Sequence, residues 1–116
     1  MNRQDRDGII RVSLADWLDN GSPSNEPRHA ISVVADRCGV RRSTLLRYEE
    51  WGIVEPARAG RQRLYSEADI DRILRVRRLV EDLGINLAGA AAVLHLREQV
   101  IALQQEMEAL RAQLGR

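Results

Sequence analysis

The chain has 116 residues, of which 44% are hydrophobic, 30% charged and only 3% aromatic, with no Phe at all. These values describe one folded domain of ordinary size, or a smaller one with an extension, and exclude a disordered chain; a core so poor in aromatics must be aliphatic, which favours helix packed on helix. No apolar run approaches the ~18 residues of a membrane span, the polar start MNRQDRDG is not a secretory leader, and the single cysteine, Cys38, cannot close an intrachain disulfide, so a reducing cytoplasm is the expected setting.

In chain order, residues 1–12 are expected to be loosely ordered. Ser13-Leu-Ala-Asp16 reads as a capping box opening a short helix through Trp17 and Leu18. Residues 19–28, DNGSPSNEPR, lack periodicity and read as a linker. Ile31 to Cys38 is the first helix of a pair, with Ser32 as its expected N-cap, and roughly Arg42 to Trp51 is the second, closed by Gly52. Within this pair Ala35 allows close approach, Gly39 permits a positive-φ turn, and Leu45 plugs the crossing. That spacing is the pattern of a helix-turn-helix, which offers its second helix to the DNA major groove.

Ile53-Val54-Glu55-Pro56 reads as extended chain, Arg58 to Arg63 as a turn with basic flanks, and Leu64-Tyr65 as a returning strand, together a two-stranded wing. Ser66-Glu-Ala-Asp69 is a second capping box. It opens a helix with apolar positions Ile70, Ile73, Leu74, Val80 and Leu83, and Gly84 closes it. Asn86 can cap a last helix from about Leu87, whose small residues 88–92 admit a close neighbour. Beyond them Val93, Leu96, Val100, Leu103, Met107, Leu110 and Leu114 step by three and four, an a/d seam that calls for a second copy of the chain.

Net charge is only +1, but residues 28–78 carry +5 while each flank carries −2. All eighteen basic residues are Arg, whose planar fork suits phosphate and guanine edges; genome composition is a sufficient explanation for the missing Lys. Between Pro56 and Ser66 stand Arg58, Arg61 and Arg63 with no acid, and a one-sign loop suggests phosphate contact. Arg41, Arg42 and Arg47, with Ser43 and Thr44, occupy the start and middle of the second helix, where arginines oppose the helix dipole unless an external anion is present. Tyr48 and Tyr65 admit two readings, packing between wing and helix or a phenol on phosphate; both are counted here with the DNA-contacting set. Cys38 reads as a small buried hydrophobe. His29 and His95 stand apart, with no metal-ligand spacing, nucleophilic triad, phosphate loop or carboxylate pair, so neither enzyme nor cofactor is expected.

This order of elements resembles the MerR family of transcription regulators over residues 31–114. The marks are Ile31, Ala35, Gly39-Val40, Thr44-Leu45, Tyr48-Glu49, Gly52, Pro56, Arg63-Leu64-Tyr65-Ser66 and Asp69-Ile70. Within it ISVVADRCGV, GINLAG at 84–89 and LREQVIALQ resemble the heat-shock repressor branch, HspR, while LGINLAGAAAVLHL is also similar to CbpM-type modulators that bind DnaJ-type co-chaperones. The first resemblance implies a repressor of chaperone operons with DnaK as co-repressor; the second implies a protein that acts by protein contact. Three departures stand out. The arginine that the family carries directly after Thr-Leu is one place later here, at Arg47, about 100° around the helix. The wing turn is short, with a single Gly60. No sensing domain or cysteine cluster follows the coiled coil, so metal or drug sensing there is not expected.

The expectation is a mainly α protein: an extension and linker at 1–28, a winged helix-turn-helix at 29–84, and a helical dimerisation segment at 85–116, antiparallel in the resembling family. It would bind double-stranded DNA as a homodimer in the cytoplasm, at the nucleoid, and away from membranes. An excisionase-like DNA-bending factor is a third reading, which the heptad seam disfavours.

Overall fold

The computed structural model describes residues 23–115. Its elements are β1 (His29–Ala30), α1 (Ile31–Cys38), α2 (Arg42–Glu50), β2 (Ala57–Ala59), β3 (Gln62–Tyr65), α3 (Glu67–Leu83) and α4 (Leu87–Leu114). They belong to two compact units, one ending at Leu94 and the other containing α4 from His95 onward. The capping box expected at Ser13–Asp16 lies outside the described residues. Among the described residues no helix is long and apolar enough to cross a membrane.

The mainly α, winged helix-turn-helix architecture is as expected, with one addition. The sheet has three strands rather than two, in the antiparallel order β1-β3-β2. β1 pairs His29 with Tyr65 and Ala30 with Leu64. This pairing holds the backbone extended up to Ile31, so Ala30 (φ −69°, ψ 156°) becomes the N-cap of α1, without a side-chain cap, and Ser32 lies inside the helix. The outgoing wing strand is also displaced. Ile53 and Val54 turn into the core instead of pairing, and β2 begins only after Pro56, which has no N–H to give a ladder.

Both short helices stop in the same way. Gly39 (φ 66°) lets Val40 N–H reach Ala35 O at 3.1 Å and Gly39 N–H reach Asp36 O at 3.3 Å. Gly52 (φ 73°) lets Ile53 N–H reach Tyr48 O at 2.9 Å and Gly52 N–H reach Glu49 O at 3.0 Å. Each left-handed glycine thereby satisfies two carbonyls that a helix end leaves open. The turn after α1 is also held from outside: Arg77 of α3 donates from Nη1 to Cys38 O at 2.6 Å and from Nε to Glu81 at 3.2 Å. α3 opens on the expected capping box, with Asp69 N–H donating to Ser66 Oγ and Ser66 N–H to Asp69 Oδ2.

The core of the winged unit is aliphatic, as the composition requires. Val34, Cys38, Leu45, Val54, Tyr65, Ile73 and Val76 are fully enclosed. Leu45 plugs the helix crossing, and burial pushes the Cys38 thiol above its ordinary range. On α3 the buried stripe is Ile70, Ile73, Val76 and Leu79, whereas Leu74 and Leu83 are exposed. Leu74 lies about 100° past Ile73, off the packed stripe, and Leu83 is the last residue of its helix. Glu67 draws two elements onto α3: Arg37 donates to both its oxygens (2.8 and 3.2 Å), and His29 Nε2 lies 2.7 Å away. The Arg37 guanidinium holds this exposed carboxyl below its usual range.

Asn86 caps α4 as expected, its Oδ1 accepting Gly89 N–H at 2.7 Å. A Cβ on Gly89 would come within 2.9 Å of Ile85, and of the small residues that follow only Ala90 is fully buried.

Replacing Gly39 by Ala tests the turn. A left-handed L-residue costs about 1–2 kcal/mol, and the new Cβ would stand 3.0 Å from Arg77 Nη1, which the Cys38 carbonyl holds in place. The urea midpoint should fall by that free energy divided by the slope, with the slope itself unchanged; an unchanged midpoint would show that the turn is not constrained.

Candidate nucleic-acid interface

The faces of α2 follow from its 100° step. Leu45 and Tyr48 point inward and are buried. The outward arc then holds Arg42, Ser43, Leu46, Arg47 and Glu50; Leu46 is half-buried and the other four are exposed. The N-cap is Arg41, in extended conformation, with no side-chain cap and no acid in the first turn. The positive end of the helix and its open N–H groups are therefore presented beside Arg41 and Arg42, an arrangement that attracts anions. Among the described residues Arg41, Arg42, Arg47 and Arg61 make no ion pair.

The expected set does not stay together on one surface. Arg41, Thr44, Arg47 and Tyr48 line a groove of about 520 Å³ against Val80 and Glu81 of α3. Arg42 falls on the opposite flank of α2, toward the wing. The one-place displacement of Arg47 thus moves it to the groove side, and Ser43 and Glu50 face most directly outward.

The wing arginines also divide. Arg58 and Arg63 are directly opposite each other on β2 and β3. Like charges so placed repel, and the Glu49 carboxylate of α2 lies between them and pairs with both. Arg63 Nε donates to Glu49 Oε1 at 2.7 Å, and Arg58 Nη2 donates to Glu49 Oε2 at 3.4 Å. Arg61 follows Gly60 (φ 64°) in the two-residue turn and is exposed.

Two expected contacts are corrected. Tyr65 is 0% exposed, its hydroxyl fully enclosed, with burial the main cause that pushes the phenol up. It cannot reach a phosphate, because it sits on the inner face of β3 as the largest side chain fully enclosed in the core. Tyr48 is 5% exposed; burial and then Glu81 raise its phenol. Both rings pack in the core, and Tyr48 also lines the groove. Sequence reasoning missed Leu46 and Glu50 on the outward face, and Glu49 as the wing's counter-ion. Their signal was present: positions 46 and 50 lie off the Leu45–Tyr48 stripe, and position 49 at its edge, one turn beyond Leu45.

On α4 the seam is open. Leu96, Val100, Leu103, Met107, Leu110 and Leu114 are all exposed, Leu103 by 58% and Leu110 by 57%. Val93 is half-buried. The buried positions of this helix are Ala90, Leu94, Arg97 and Ile101, a row that the heptad spacing does not mark.

Comparison with known proteins converges on the same elements. Residues 30–96 match the family model described as MerR HTH family regulatory protein. The heat shock protein HspR of Streptomyces coelicolor is 43% identical over 89 residues, covering 76% of this chain and 59% of that protein. The HTH-type transcriptional regulator GlnR of Bacillus anthracis is 36% identical over 73 residues, 62% of this chain and 56% of the relative. The mercuric resistance operon regulatory protein of Bacillus cereus is 37% identical over 59 residues, 49% and 44% respectively. The chain thus spans between 44% and 59% of the length of these relatives. With a family model covering the whole helix-turn-helix, wing and third helix, the chain belongs to the MerR HTH family of regulatory proteins.

Proposed function

We propose that this chain is a double-stranded-DNA-binding transcription regulator that acts as a homodimer and represses heat-shock or chaperone genes. The observation that carries the DNA reading is the outward face of α2, where unpaired arginines flank an uncapped helix N-terminus. In this reading α2 enters the major groove, where Arg42 and Ser43 in the first turn reach base edges. Arg41 and Arg47, on the groove flank, hold the backbone beside it, and Arg61 at the wing tip contacts the flanking strand. The heat-shock assignment draws on the HspR relative, and the homodimer on the exposed apolar row of α4. A gel shift with the DNA upstream of the protein's own gene, with and without DnaK or a DnaJ-type chaperone, tests the whole assignment. Retarded upstream DNA whose occupancy the chaperone raises supports a repressor with a chaperone co-repressor. Tight chaperone binding with no preference for any DNA replaces it with a chaperone modulator.

Arg42→Ala should lower the ratio of operator to random-duplex affinity by about 1–3 kcal/mol, the discrimination contributed by one bidentate guanine contact. Arg47→Ala should weaken both duplexes with a smaller change in that ratio. Competition at fixed salt measures both, and equal losses on the two duplexes in Arg42→Ala would place Arg42 on the backbone instead.

Leu103→Asp combined with Leu110→Asp should give a monomer in sedimentation, because a carboxylate in a dry helix seam costs several kcal/mol. An undiminished dimer would move the interface elsewhere.

A further inference from the structure

We propose that Glu49 is a specificity-determining positioning residue: it occupies Arg58 and Arg63 as an internal stand-in for phosphate, so that of the wing arginines only Arg61 binds the DNA backbone. The inference rests on the DNA-binding reading above and deepens it.

Three observations carry it. First, Arg58 and Arg63 are cross-strand partners, so the wing concentrates two positive charges at one rung of its ladder. Second, both guanidiniums converge on one carboxylate, at 2.7 and 3.4 Å, and its two oxygens are divided between them. That is how a bridging phosphate would be held. Third, the carboxylate comes from α2, the helix that carries the base-reading face, and its side chain is 25% exposed. A carboxylate at this place would repel DNA unless it were already paired. Paired, it joins both wing strands to α2, fixes the distance between wing tip and helix, and engages two guanidiniums that would otherwise bind any sequence, cancelling one of their charges.

The test is the salt dependence of binding to operator and scrambled duplexes, followed by fluorescence anisotropy. Arg61→Ala should lower the slope of log affinity against log salt by about one per protomer. Arg63→Ala alone should weaken binding and leave the slope as it is. Glu49→Gln should steepen the slope by about one to two per protomer, as freed guanidiniums reach phosphate, and narrow the operator-to-scrambled ratio. In the Glu49→Gln background Arg63→Ala should lower the slope by about one. Glu49→Asp, which keeps the charge, should retain the wild-type slope, and thermal melting of each variant confirms folding. An unchanged slope in folded Glu49→Gln, or a slope reduced by one in Arg63→Ala alone, overturns the proposal while the DNA-binding reading stands. A wild-type chain that binds no duplex overturns both.

Discussion

The hydrogen bond from Arg77 to the Cys38 carbonyl, 2.6 Å long, fixes the end of the first helix, which Gly39 closes, against α3. A helix end exposes carbonyls with the negative end of the dipole, and a guanidinium is a strong partner for them. Because Arg77 belongs to α3, this contact registers α1 against the helix that forms the other wall of the core. The left-handed turn at Gly39 then has one exit direction, and α2 leaves it with Leu45 and Tyr48 facing inward. Everything that α2 presents to the outside follows from that rotation. A shift of one residue at the turn would bring Leu46 toward the core and remove Tyr48 from it.

Much of this was legible in the sequence because it depends on local chemistry. Helix ends are announced by glycines at 39, 52 and 84, and their starts by Ser66 and Asn86. The identity of the plug, Leu45, follows from its distance to Ala35 and Gly39. What the spacing could not give is non-local. β1 is two residues long and has no pattern of its own; it exists because Tyr65 and Leu64 offer it a ladder thirty-odd positions away. The buried stripe of α3 advances by three, through Val76 and Leu79, and periodicity alone does not separate it from the neighbouring row through Leu74.

The candidate site shows the same division at the level of charge. Counting arginines located the basic region but treated each guanidinium as available. The structure separates eight of these arginines into two kinds. Arg37, Arg58, Arg63 and Arg77 connect elements to one another through Glu67, Glu49 and the Cys38 carbonyl. Arg41, Arg42, Arg47 and Arg61 extend into solvent. An excess of one charge along a segment therefore counts both the ion pairs that join elements and the unpaired surface charge, and the second is the more freely offered to a partner. The tyrosines repeat the point: two phenols near a basic face are here two rings in an aromatic-poor core.

The strand before α1 bears on how the domain behaves as a separable piece. β3 is the middle strand of its sheet because β1 covers one of its edges. The chain leading into β1 is anchored as well, with Arg28 N–H donating to Tyr65 O at 3.0 Å and Ala68 N–H to Ser24 O at 2.9 Å. The family match begins at residue 30 and leaves most of this cover out. A fragment cut to that match would expose a row of unpaired N–H and C=O groups along Leu64 and Tyr65, a template for edge-to-edge aggregation. The contacts that anchor this cover reach back to Ser24, and the stretch from there to His29 serves as the shield of the sheet.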